Sequence, residues 1–235
     1  MTRDRIDRLK VKVFGPHIPR EVLFKNPVRF LLPTALLGVA ALLLLISTFM
    51  PYWRMDLEAP QYPKGLELTV YVDHLEGDIG EVDGLNHYIG MRPISDAGEL
   101  ERSMSFLAIV VVAGLVISSV FVHNPCALVL SWPAILYPVI FLADLWFWMR
   151  KFGHDLDPLA PLSNIIEPFT PPLIGRGEIA QFETNAIWEN GLYLAFVASV
   201  LVIVGLVLHR RAYKPLLEEA KKHAETASAS AGADG

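Results

Sequence analysis

A single cysteine, Cys126, stands among 235 residues. That excludes an internal disulfide framework, a CxxCH haem attachment and a multi-cysteine metal centre, so no covalent haem is expected. Any metal or redox chemistry must then run on histidine, methionine, carboxylates or a partner protein. Catalytic signatures are missing too: there is no P-loop, no GxSxG, no HExxH and no dinucleotide fingerprint. The acid-rich stretch from Asp73 to Asp83 lacks EF-hand spacing. A net charge of −5 gives no reason to expect a nucleic-acid partner. Scarcest of all is charge inside the apolar runs, where Asp144 is the one formally charged side chain.

What the chain has in quantity is apolar surface. With 53% apolar residues and a mean hydropathy of +0.39, it is too hydrophobic for an ordinary soluble domain. Four runs, 30–53, 104–123, 127–149 and 191–208, are long enough to cross roughly 30 Å of hydrocarbon as helices. The first resembles a signal peptide in position only. Its apolar core is too long and no small-residue cleavage site follows, so it reads as a retained span.

Lysine and arginine orient the spans. Residues 1–29 hold eight basic and three acidic side chains, and the tail 209–235 holds five and four. Residues 51–103 hold four basic against eleven acidic, and 150–189 three against six. Both ends are therefore expected inside. The loops 54–103 and 150–190 are expected on the outer face of a bacterial inner membrane, with membrane lipid around the helices. The fold expected is an all-α, four-helix membrane protein whose two extracytoplasmic loops form a small cap containing a short β-hairpin. The cap is too small for an independent enzyme domain. In it, Leu66–Val72 alternates apolar and polar residues over most of its length, which predicts a strand, and Asp-Gly and Gly-Asp steps follow. The second loop, with prolines at 158, 161, 168, 171 and 172, is expected to be irregular extended chain. The tail is expected to start as a short charged helix, 216–224, and to end in disorder.

Apart from Met1, the methionines (50, 55, 91, 104 and 149) all fall in the outer loops or at outer helix ends, with His74, His87 and His154 on the same side. Thioether and imidazole suit Cu(I) where free thiols are a liability. His87 and Met91 stand four positions apart across Gly90, with Pro93 beyond, and are the leading metal-ligand candidates; Met55, His74 and His154 are additional ones. The ordinary reading stands beside this one: methionine is a common interfacial hydrophobe, His74 lies among acids, and His154 can cap a turn. Asp144 must face another helix or a wet cavity, because a carboxylate at the centre of an isolated helix costs roughly 2.5–3.5 kcal/mol. Trp146 and Trp148 fit an interfacial aromatic belt, and with Asp144 they can line a quinol pocket. Prolines 133 and 138 predict a kink whose freed carbonyls need partners. His123 and His209, placed at cytoplasmic ends, give no obvious facing pair for a b-type haem.

Four phrases occur together: Pro51-Tyr52-Trp53, Gly84–Met91, Phe152–Pro158 and Pro168–Pro172. They resemble a family of four-helix membrane proteins encoded beside nitrous-oxide reductase maturation genes. Such clusters also encode a copper chaperone, an ABC transporter and c-type cytochromes. The resemblance covers both outer loops and the adjoining helix ends. It implies extracytoplasmic copper handling, or electron supply to the reductase, and assigns no residue a role. The leading expectation is thus a non-enzymatic inner-membrane accessory protein that binds copper or a copper-carrying partner: a chaperone, a cytochrome or the reductase. The alternatives are a quinol-binding membrane subunit of a respiratory complex, and a scaffold whose acidic loops dock basic cytochromes.

Overall fold

The computed structural model describes residues 26–123, 126–162, 166–179 and 182–233. The basic segment 1–25, the expected turn at Asn124-Pro125 and the last two residues of the tail lie outside that set. Among the described residues four helices are long and apolar enough to cross a membrane: α1 (Pro27–Ser47), α3 (Glu99–Ser119), α4 (Cys126–His154) and α5 (Asn190–Ala233, with its candidate span at Asn190–Leu216). At 1.5 Å per residue, the 21 residues of α1 reach about 31 Å. Large apolar side chains such as Val28, Leu31, Val129 and Val200 stand exposed along these helices, as a lipid environment requires. Two boundaries differ from the hydropathy reading. Trp53 leaves the first span and opens a strand, and α5 continues to Ala233, where composition reads as disorder. Alanine, glutamate and lysine are strong helix formers, which favours the extension.

The chain divides into two compact units: residues 1–42, 112–135 and 198–235 form one, and 43–111 with 136–197 form the other. The first is helical and closely packed. Leu37 of α1, Val116 of α3, Ala134 of α4 and Val202 of α5 are fully buried. A Cβ on Gly205 would meet Leu37 at 3.0 Å, so the glycine permits a close approach that small residues commonly provide between membrane helices. Ser199 Oγ donates to the Ile135 carbonyl at 2.7 Å, beside the turn that Pro138 deprives of a donor.

The second unit is built on a five-stranded antiparallel sheet in the order β3-β2-β1-β5-β4: β1 (Trp53–Ala59), β2 (Tyr62–Val70), β3 (Leu75–Gly77), β4 (Gly175–Ile179) and β5 (Phe182–Trp188). Strand β1 buries Trp53, Met55, Leu57 and Ala59 and turns Arg54, Asp56 and Glu58 outward, a two-residue period that gives the sheet one apolar face. The alternating Leu66–Val70 stretch lies in β2, as its pattern predicts, paired with β1 at Leu57↔Leu66 and Met55↔Leu68. A short helix, α2 (Ile79–Ile89), follows β3 where turn chemistry suggested more hairpin, and it ends at Gly90 with φ 81°.

Two expectations are corrected here. The fold is not all-α beyond a short hairpin, and the second loop is not wholly irregular, because β4 and β5 pair with each other and β5 pairs with β1. The buried face of β5 is Phe182, Thr184 and Ala186, a small and partly polar set with a weak period. Its strand character comes from pairing with the distant β1 (Trp53↔Trp188, Met55↔Ala186) rather than from local pattern. The proline-rich stretch 166–172 has no regular structure, as expected. It is pinned where Phe169 N donates to the Gly153 carbonyl at 3.0 Å. Asp157 N donates to Gly90 O at 2.7 Å and Leu162 N to Tyr88 O at 3.0 Å, which fastens the chain just before it to the end of α2.

Candidate ligand cavity in the sheet-bearing unit

The apolar face of the sheet does not close fully on the helices opposite. A cavity of about 320 Å³ remains, lined by Trp53, Met55 and Leu68 from the sheet, by Val82, Asn86 and Ile89 from α2, by the start of α3, and by Tyr137, Phe141, Asp144 and Trp148 from α4. Phe169 and Pro171 of the pinned segment also reach its wall. The size falls in the range of small-ligand sites, and the lining is of the usual kind, apolar with a few convergent polar groups.

Helical spacing places the polar groups. On α2, Val82, Asn86 and Ile89 share the buried face, so Asn86 is carried inward by the packing of its neighbours. On α4, Tyr137, Phe141, Asp144 and Trp148 recur at three- and four-residue intervals and line the cavity together. Tyr137 packs edge-on against Tyr52 at 6.2 Å, and the Tyr52 hydroxyl shares a 2.7 Å hydrogen bond with Ser47. Trp148 packs edge-on against Phe152 at 5.5 Å, and Lys151 Nζ lies 4.6 Å from its ring centre.

Three buried donors on this wall meet no acceptor: Asn86 Nδ2, Arg102 Nε and Trp148 Nε1. The Asp144 carboxylate, one turn from Trp148, is close enough to interact with it, yet the indole N–H meets no acceptor in hydrogen-bonding geometry. A buried donor left without a partner costs on the order of 1–3 kcal/mol. Three of them beside one cavity mark a place where the fold satisfies shape better than it satisfies polarity.

The residues singled out from sequence separate into two groups. Asp144, Trp148, Met55 and Met91 line the cavity, and Met149 joins them. Trp146 does not: it is exposed, with the Arg150 guanidinium 5.6 Å from its ring centre. His87 is exposed on α2, whereas Met91 is half-buried against the apolar core, so the structure gives this pair different surroundings. His74 stacks on Tyr71 at 4.3 Å between the carboxylates of Asp73, at 2.6 Å, and Glu76, at 3.3 Å, and so helps to hold the β2–β3 turn. His154 Nδ1 donates to the Arg150 carbonyl at 2.9 Å and caps the end of α4. Among the described residues, no three side chains of His, Cys, Asp or Glu are grouped to hold a metal ion.

Sequence reasoning missed Asn86, Arg102 and Tyr137. The strand period of Trp53–Ala59 was available to signal the cavity's floor, but only Trp53 falls in the expected first span, and residues 54–59 lie in the expected outer loop with no strand assigned to them. The helical unit holds a second unexpected arrangement. His123 and His209 face each other with ring centres 5.0 Å apart, and Tyr213 lies 3.9 and 4.5 Å from them. His209 Nε2 donates to the Val120 carbonyl at 3.2 Å. The facing pair that the sequence reading found missing is thus present, as tilted rings whose centres are too close to admit a macrocycle between them. No protein-family model, curated protein or solved structure matches the chain.

Proposed function

We propose that this chain is a non-enzymatic membrane accessory protein that holds a quinone-class amphiphile in the cavity of its sheet-bearing unit. It would act as a quinone-binding subunit or partner in respiratory electron transfer. The observation that carries this is the cavity itself, an apolar space of about 320 Å³ bordered by Asp144 and Trp148, which accepts a ring while a polyisoprenoid tail remains in lipid. The distribution of lysine and arginine supports the accompanying topology, with both termini in the cytoplasm and the sheet-bearing unit on the outer face of a bacterial inner membrane. In the setting the resemblance implies, the electrons would serve a reductase such as nitrous-oxide reductase.

The test is solvent extraction of protein purified in mild detergent, followed by chromatography for quinones. Quinone near one equivalent, lost from Leu68→Trp, is the expected result. A quinone-free preparation that also fails to bind an added short-chain quinone sinks the reading.

One observation favours a copper role as a second reading: Met55, Met91 and Met149, from three separate segments, line the same cavity, and thioethers suit Cu(I). Titration with Cu(I) against a competing chelator should then distinguish the parent from a variant with all three changed to leucine. Equal binding by the two rejects that reading.

A further inference from the structure

We propose that the sheet-bearing end of α4 holds the headgroup phosphate of an anionic phospholipid through Arg150 and Lys151. This contact is independent of what fills the cavity. At 1.5 Å per residue the 29 residues of α4 reach about 43 Å, well beyond the roughly 30 Å of hydrocarbon, so the helix extends into the headgroup layer. Arg150 and Lys151 directly follow the apolar run 127–149. Trp146 and Phe147, just before them, are 45% and 51% exposed, as rings of an interfacial belt are. Both cations lean back along the helix onto these rings. The Arg150 guanidinium lies 5.6 Å from the centre of Trp146, and Lys151 Nζ lies 5.7 Å from that of Phe147 and 4.6 Å from that of Trp148.

A lysine or arginine at the end of a span can stretch toward water, away from hydrocarbon. These two do not. Helix geometry tilts side chains toward the N-terminus, which for α4 is back toward the bilayer, and the aromatic faces hold the two charges there. No protein anion answers them. Among the described residues no carboxylate pairs with either cation, and Asp155, one turn beyond Lys151, is engaged by Arg92 at 3.0 Å. The helix dipole explains why basic residues stand in this last turn, but it draws charge toward the terminal carbonyls rather than back over the rings. A lipid phosphate lies at the depth to which the side chains bend. Both residues are exposed, so lipid can reach them. Arginine offers a phosphate a planar fork of N–H donors, and lysine a compact charge. A zwitterionic headgroup brings its own ammonium group and offsets that attraction, whereas a headgroup whose only charge is the phosphate does not. The lipid favoured is therefore of the phosphatidylglycerol class.

The experiment follows tryptophan fluorescence of the full chain in phosphatidylcholine vesicles that hold a minor fraction of lipid with brominated acyl chains, which quench a nearby indole. The brominated lipid is phosphatidylglycerol in one arm and phosphatidylcholine in the other. Phosphatidylglycerol is expected to bind about fivefold more tightly, the scale of one cation at an anionic surface. Arg150→Gln/Lys151→Gln should abolish most of that preference, and the charge-keeping exchange Arg150→Lys/Lys151→Arg should retain it, a pattern that damage to the helix end cannot produce. Inorganic phosphate in the buffer should displace the lipid no more than chloride of equal ionic strength does. Equal quenching by the two lipids, or an undiminished preference in the glutamine variant, overturns the proposal. So does displacement by inorganic phosphate beyond the chloride control, which would make the ligand a soluble phosphate.

Discussion

In the helical unit Ser199 reaches the Ile135 carbonyl at 2.7 Å, Ser119 the Val116 carbonyl at 2.6 Å and His209 the Val120 carbonyl at 3.2 Å. In the sheet-bearing unit Asn86 Nδ2, Arg102 Nε and Trp148 Nε1 are buried without an acceptor in residues that line the cavity. Both units bury polar side chains. The second also answers Ser47, Thr48 and Thr184 with backbone carbonyls, and the first leaves Ser131 Oγ without a partner; what sets the second apart is that its unpartnered donors belong to residues lining unfilled volume. Unsatisfied polarity next to unfilled space is costly for stability alone, which is the reason the proposed ligand is assigned to the second unit.

The largest expected effect comes from breaking the pin that brings the proline-rich segment to the cavity. A Cβ on Gly153 would stand 2.1 Å from the Phe169 carbonyl oxygen, a backbone atom that cannot swing aside. Gly153→Ala should therefore cost about 3 kcal/mol or more, read by denaturant unfolding in detergent, with ligand binding lost as Phe169 and Pro171 move. In the helical unit, Gly205→Leu drives a side chain into Leu37 and should cost about 2 kcal/mol in the same assay. A pair of enlargements then tests whether one unit is full and the other hollow. Ala198→Leu, at a position with no exposure, should destabilise, whereas Leu68→Phe, on the cavity wall, should stabilise the ligand-free protein by about 0.5–1 kcal/mol and weaken ligand uptake. Loss of stability in both would show that the cavity wall has no spare volume. The smallest effect should be Arg92→Ala, which removes an exposed 3.0 Å pair with Asp155 and should change stability by about 0.5 kcal/mol or less, a shift that 0.5 M salt should abolish.

Parts of the cavity were legible in advance. Asp144 was expected to face a helix or a cavity, because a carboxylate in an apolar run has few alternatives, and it borders the cavity. Trp146 and Trp148 were grouped with it by their place near the outer interface, but Trp146, two residues from Trp148, falls on a different face of α4 and is exposed. Methionine placement gathered Met55, Met91 and Met149 to one end of the chain's spans, and all three line the same space. Asn86 and Arg102 carried no warning. Each is an unremarkable polar residue in sequence, and its significance comes from acceptors that neighbouring elements fail to supply.

Local chemistry was enough for four long apolar helices and for a strand at Leu66–Val70, because hydropathy over twenty residues and a two-residue period are properties of contiguous chain. Pairing was not. Strand β5 exists because Phe182–Trp188 lies against Trp53–Glu58, and the rings of His123 and His209 meet because the chain after α3 comes to lie beside α5. The cavity has the same origin. It is the volume left when a sheet face, a short helix and two long helices each satisfy their own packing, and no stretch of sequence encodes a space that several distant segments enclose jointly.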